Sequence, residues 1–232
     1  MVKTKYTITS VFDPVLCEII YSWFTASGQQ IIDPFAGGSV RGVVASCLGR
    51  GDWGGELRPE QVAANQKQAA AICRSPMPQY ACGNSRSTLK HAPYADFIFS
   101  CPPYGNLESY SDDQHDLSNM EWPAFLDAYR RIISLACEKL RDNRFACFVV
   151  GDFRDEHGAY RNFVSKAIRA FQNCGCILYN EAILVTALGS VPMRVSRQFI
   201  SGRKLCKTHQ NVLVFCKGDW KKAALELKEK GS

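Results

Sequence analysis

Residues 95–104 read Ala95-Asp96-Phe97-Ile98-Phe99-Ser100-Cys101-Pro102-Pro103-Tyr104, an apolar run that stops on two prolines and an aromatic ring. The run predicts a buried strand over 95–100. Proline fixes φ near −65° and removes an N–H donor, so the double proline ends the ladder and leaves carbonyls facing outward. Carbonyl acceptors beside a flat ring are what is needed to hold and stack a planar amine.

A second strand, Gln30-Ile31-Ile32-Asp33, runs into Pro34-Phe35-Ala36-Gly37-Gly38-Ser39 and then a helix from about Val40 to Leu48. Paired glycines between a strand and a helix permit positive φ and let a ligand approach the backbone. The spacing is neither G-x-G-x-x-G nor a phosphate loop, because no Gly-Lys-Ser/Thr follows, and a plain tight turn is the alternative. Glu56 ends the next strand, Trp53–Glu56, at the distance where an acid accepts hydrogen bonds from ribose hydroxyls in nucleoside-binding α/β folds. Cys82-Gly83-Asn84-Ser85 ends a third strand, Gln79–Cys82, with small polar groups suited to an adenine edge.

The remaining pattern alternates helix and strand. Val15–Phe24 reads as a helix with Asp13 as N-cap and Pro14 at its first position, and Pro59–Cys73 as a second. Ser118-Asn119-Met120-Glu121 has the spacing of a capping box. Behind it Trp122, Phe125, Leu126, Tyr129, Ile132, Ile133, Ala136 and Leu140 recur at helical intervals. Phe145–Val150 reads as a central strand, Tyr160–Phe171 as a helix, Ile177–Thr186 and Asn211–Phe215 as closing strands, and Trp220–Lys230 as a polar helix. Such alternation predicts an α/β sheet with helices on both faces, in one domain spanning 1–232. Ligands bind such sheets outside the carboxyl ends of the strands, which is where both unusual segments fall.

With 232 residues, 46% of them hydrophobic, the chain can fill a core. No apolar stretch approaches the roughly 20 residues of a membrane span, and no leader pattern opens the chain, so a soluble, non-secreted protein is expected. The 11 cysteines form no C-x-x-C pair, and Cys174-Gly175-Cys176 is their closest spacing. Cys47, Cys137, Cys147 and Cys216 sit in apolar runs, where a thiol acts as a small hydrophobe. A reducing cytoplasm is expected and a metal is not, the cluster Asp112, Asp113, His115 and Asp116 reading as a solvent-facing or lid loop. The net charge of +6 is compatible with nucleic acid.

Asp33-Pro34-Phe35-Ala36-Gly37-Gly38-Ser39, then Glu56, then Ser100-Cys101-Pro102-Pro103-Tyr104, in this order, resemble the S-adenosylmethionine-dependent DNA amino-methyltransferases that act on exocyclic amines of adenine or cytosine. Small phage and bacterial forms are the nearest in pattern. The resemblance covers nearly the whole chain and implies a Rossmann-like, seven-stranded class I methyltransferase sheet with an antiparallel strand pair at one end. By position it places Asp33, Pro34, Phe35, Ala36, Gly37 and Gly38 around the methionine part of S-adenosylmethionine. It sets Glu56 on the ribose, Asn84 or Ser85 on the adenine, and the segment Ser10-Val11-Phe12-Asp13 over the cofactor. Where the family has Asp, Asn or Ser before the prolines, this chain has Cys101, whose sulfur is a weaker acceptor. The implied catalytic set is Ser100, Cys101, Pro102, Pro103 and Tyr104, in the cytoplasm of a bacterium or phage-infected cell.

The implied reaction methylates an amine of an everted base, adenine N6 ahead of cytosine N4. An RNA or protein-amide methyltransferase, or a decayed binding module of the same fold, is the alternative. Leu188–Gln210 carries Arg194, Arg197, Arg203, Lys204, Lys207 and His209 with no acid, and with Phe199 and Ile200 between them. This basic loop, 187–210, and the loop 105–117 are the expected contacts to DNA, with a lysine-decorated hairpin as the alternative.

Overall fold

The computed structural model describes residues 11–105, 111, 113–186 and 191–230, with the side chains of 191, 194, 229 and 230 left undescribed. The strands are β1 (Gln30–Asp33), β2 (Gly51–Glu56), β3 (Gln79–Cys82), β4 (Ala95–Ser100), β5 (Leu140–Val150), β6 (Cys176–Val185) and β7 (His209–Lys217). They form a seven-stranded sheet in the order β3-β2-β1-β4-β5-β7-β6. The strands β1 to β5 pair in parallel, while β7 runs antiparallel to both β5 and β6. This is a Rossmann-like α/β sheet with helices on both faces.

The helices are α1 (Pro14–Phe24), α2 (Val40–Cys47), α3 (Pro59–Ile72), α4 (Ser85–Thr88), α5 (Trp122–Lys139), α6 (Phe163–Gln172), α7 (Val191–Gly202) and α8 (Trp220–Lys230). Side chains alternate across the central strands, as the two-residue period requires. On one side Ile98, Ala146, Phe148, Val150 and Phe215 pack with Phe125, Tyr129, Phe163 and Phe171 of α5 and α6. On the other, Phe97, Phe99, Phe145, Cys147 and Val214 pack with Cys17, Ile20 and Tyr21 of α1. Each phenylalanine buried in this way contributes about 1.5–3 kcal/mol relative to an exposed one.

Several boundaries differ from expectation. Ser118 does not cap α5: its backbone N–H and hydroxyl both donate to Asp116, at 2.9 and 2.7 Å, within a 3-10 turn over Leu117–Asn119. The helix begins instead at Trp122, with Pro123 in its first turn. α6 starts at Phe163 and not Tyr160, because Tyr160 bridges to Arg154, and Asn162 adopts φ +54° just before the helix. Asp152 accepts the Phe163 N–H at 2.9 Å and so closes that helix end. Cys47 is exposed at the last residue of α2, whereas Cys137, Cys147 and Cys216 are buried.

The largest difference lies in the basic segment. Residues 191–202, expected as part of a loop, form α7 in the connection between β6 and β7. Pro192 in the first turn and Val195 and Phe199 four residues apart are helix signals that the run of cations obscured. Every described side chain of α7 is exposed. No helix among the described residues is long and apolar enough to cross a membrane.

Candidate active site

Strand order reverses between β1 and β4, the crevice in which doubly wound sheets hold ligands. β1 delivers the glycine turn to that crevice and β4 the double-proline step. Asp33, the last residue of β1, joins them. Its Oδ1 accepts the Ser100 hydroxyl and the Phe35 N–H (3.1 Å), while its Oδ2 accepts Arg41 Nε at 2.6 Å.

Arg41 carries the clamp onward. Its Nη2 donates to the carbonyls of Phe35 and Ala36 at 2.7 and 2.8 Å, and its guanidinium lies 4.7 Å from the centre of the Phe12 ring. Arg41 and Asp33 are almost completely buried, so two charges share one set of fixed partners. Burial of such a pair is tolerable only when most of its hydrogen-bonding capacity is met, and this one meets it with the backbone of the turn. Arg41 was not among the expected site residues. Its signal, a lone cation eight positions after Asp33 on an otherwise small-residue helix, is visible only once that helix is folded back.

The glycine turn itself is open. Gly37 has φ +54°, and a Cβ built on Gly37 or Gly38 would meet nothing within 4 Å. Burial raises the Glu56 pKa above its ordinary value, and the Arg58 backbone N–H, at 2.9 Å, works against that rise. Next along the sheet edge, Asn84 caps α4 by accepting the Arg86 N–H at 3.0 Å, and the Ser85 hydroxyl donates to the Pro34 carbonyl at 2.7 Å.

The ten residues expected around a cofactor thus divide in two. Phe12, Phe35, Gly37, Gly38 and Asn84 keep accessible surface. Asp33, Pro34, Ala36, Ser85 and, at 9% exposure, Glu56 are buried. Ser10 lies outside the described residues.

At the double-proline step, Ser100 is fully buried and its hydroxyl is given to Asp33. It positions the step and presents no surface to a ligand. Pro102 is buried, while Cys101, Pro103 and Tyr104 are half-buried. Cys101 Sγ lies 3.8 Å from the Tyr104 hydroxyl. That hydroxyl accepts from Gln210 Nε2 of β7 at 2.6 Å, and the ring meets Phe153 and Phe163 edge-on at 6.3 and 6.2 Å. Burial pushes the Tyr104 phenol well above its ordinary pKa, so it stays neutral. Gln210, Phe153 and Phe163 orient the ring, and nothing local in the sequence links them to it.

Beyond Tyr104 lies a shallow cleft lined by Asp152, Phe153, Arg154, Tyr160, Gln198, Leu205, Cys206 and Lys207. Arg197, Arg203 and Lys204 are exposed, and Lys207 and His209 are half-buried; the Arg194 side chain is outside the described set. Of the loop 105–117, residues 106–110 and 112 are likewise outside it, and Asp116 is buried beneath Ser118. Among the described residues no group of three His, Cys, Asp or Glu side chains is arranged to hold a metal.

No protein-family model matches the chain. No curated protein matches it by sequence. Solved structures do match by shape. TrmN from Thermus thermophilus superposes with a TM-score of 0.60 at 15% identity, over 91% of this chain and 51% of that one. The chain therefore spans about half the length of TrmN. The magnesium protoporphyrin IX methyltransferase ChlM from Synechocystis PCC 6803, solved with bound SAM, matches with a TM-score of 0.56 at 10% identity, over 88% and 79% of the two chains. PH1948 from Pyrococcus horikoshii, a protein proposed to be an RNA methyltransferase, matches with a TM-score of 0.56 at 14% identity, over 88% and 82%. At these identities the likeness carries the fold.

Proposed function

We propose that this chain is a single-domain, S-adenosylmethionine-dependent methyltransferase acting on the exocyclic amine of an everted base in DNA, adenine N6 ahead of cytosine N4. One observation supports this above the rest: the open glycine turn and the double-proline step are neighbouring strand ends, tied together through Asp33 and Ser100. A turn with free space where side chains would stand suits a ligand pressed against backbone.

In this reading Gly37, Gly38 and Phe35 face the methionine part of the cofactor, Glu56 the ribose and Asn84 the adenine. S-adenosylmethionine, when bound, supplies an electrophilic methyl group on its sulfonium. The chain's own contribution is alignment. An exocyclic amine is a poor nucleophile because its lone pair is delocalised into the ring. Hydrogen bonds from its N–H groups to Cys101 and to the Pro102 carbonyl favour a pyramidal nitrogen with a free lone pair, and the Tyr104 ring stacks on the base. Holding two reactants in line is a large part of such catalysis. The proton leaves after the nitrogen has become cationic, so no strong base is needed. Eversion costs a few kcal/mol, and stacking on an aromatic ring returns about 1–3 kcal/mol. Phosphate contacts fall to Arg194, Arg197, Arg203, Lys204, Lys207 and His209.

The test is incubation with labelled S-adenosylmethionine and unmethylated phage DNA, followed by digestion to nucleosides. Label in N6-methyldeoxyadenosine is the expected result. Tyr104→Ala should lower turnover by about tenfold or more while S-adenosylmethionine still binds. Unchanged turnover would refute the stacking role. RNA is the second reading, favoured by the PH1948 match, and label in RNA nucleosides alone would establish it. Cofactor binding by calorimetry with no transfer to any substrate would mark a decayed module.

A further inference from the structure

The cleft beyond Tyr104 is not part of the glycine turn or of the double-proline step. Two segments far apart in sequence form it: the hairpin 152–160 that follows β5, and the stretch 198–207 that carries the end of α7 into β7. Its inner wall is Phe153, whose ring centre lies 6.3 Å from that of Tyr104, so it opens one ring's width from the proposed base stack.

Cations converge there from both sides. The Arg154 guanidinium lies 3.9 Å over the Tyr160 ring and donates from Nη1 to the Gly158 carbonyl at 2.8 Å. Lys207 lines the opposite wall. Lys204 lies across the hairpin, its ammonium 2.9 Å from where a Cβ on Gly158 would stand. Of the hairpin's acids Asp152 also lines the cleft, with its Oδ1 engaged by backbone N–H groups, while Asp155 and Glu156 are taken up within the hairpin. Asp152 accepts the N–H groups of Phe153 and Phe163, Asp155 accepts those of His157 and Ala159, and Glu156 pairs with His157 at 3.7 Å. An aromatic floor between cations, with no acid between 188 and 210, is the chemistry that single-strand sites use: rings for a base face, cations for its phosphate.

We propose that this cleft receives the DNA nucleotide next to the everted base, its phosphate between Arg154 and Lys207 and its base against the exposed Tyr160 ring, with the buried Phe153 behind. The assignment rests on the methyltransferase reading above, and it adds Arg154, Tyr160 and Gln198 to the residues that meet DNA. α7 thereby becomes one wall of the substrate channel as well as a charged surface.

Fluorescence anisotropy with a labelled duplex across a salt series tests it, on wild type, Lys207→Ala, Lys207→Glu and Tyr160→Ala. Lys207→Ala should weaken binding on the order of tenfold. It should also reduce the slope of log K against log salt by about 0.9. Lys207→Glu should weaken binding further, and S-adenosylmethionine affinity and melting temperature should stay at wild-type values. A 5-bromodeoxyuridine duplex cross-linked by ultraviolet light should yield adducts on the peptide holding Phe153 and Tyr160. Wild-type affinity and slope in all three variants, or adducts confined to α7, would overturn the cleft and leave the methyltransferase reading standing. Wild type that binds S-adenosylmethionine but no DNA at low salt, or that prefers RNA, would overturn both assignments to DNA.

Discussion

Asp33 is the residue on which the site's geometry converges, and Arg41 is what makes its burial tolerable. Removing Arg41 strands a carboxylate beside Ser100 and releases the Phe35 and Ala36 carbonyls. Arg41→Ala should cost about 3–5 kcal/mol by denaturant unfolding, and cofactor binding should fall with it. A variant with wild-type stability would show that Asp33 finds water instead. Asp52 is the opposite case. It is 3% exposed, its Oδ1 has no partner among the described residues, and burial followed by the nearby Asp33 charge raises its pKa well above the ordinary value. A raised folded pKa favours the native state fully only below the unfolded value of about 3.9, and the advantage is lost as pH rises. Asp52→Asn does not titrate. It should therefore melt higher than wild type at pH 7, by about 2–4 °C per kcal/mol regained, and the gap should close below about pH 4. A gap that widens in acid would contradict the buried-carboxyl account.

At the scale of elements, α7 is an insertion between two antiparallel strands whose pairing does not depend on it. β6 and β7 pair from Cys176 opposite Lys217 to Val185 opposite His209, with a register shift between Leu178 and Asn180. Replacing residues 187–208 with a short turn should leave melting temperature and S-adenosylmethionine affinity near wild type and weaken DNA binding by about 10³-fold or more. Retained DNA affinity would move the binding surface elsewhere. α7 also shows where sequence reading stops. Strands ending in Asp33 and Ser100 were legible because apolar runs halt there just before proline, whereas β2, a glycine-rich strand that starts at Gly51, gave a weaker signal. α5 was legible from its spacing. α7 buries no described side chain, so the periodicity that reveals a helix through its core face is faint, and the cations suggested a loop.

Across the whole molecule, the alternation of strand and helix was legible in the residues, and the antiparallel end of the sheet only through the family resemblance; the strand order came from the structure. The contacts that turn strand ends into a site were not legible. Gln210 meets Tyr104 across 106 positions and Ser100 meets Asp33 across 67, separations at which no sequence spacing signals contact. The Ser100–Asp33 bond has a consequence of its own. It makes the two ligand-facing loops a single mechanical unit, so whatever steadies one must steady the other. If the proposed base and cofactor are coupled through it, thermodynamic reciprocity requires that each change the other's affinity by the same factor. Ser100→Ala should bring that shared factor close to unity in a four-sided binding cycle, while each ligand alone binds nearly as before. An unchanged factor in that variant would show that the bond carries no message between the two strand ends.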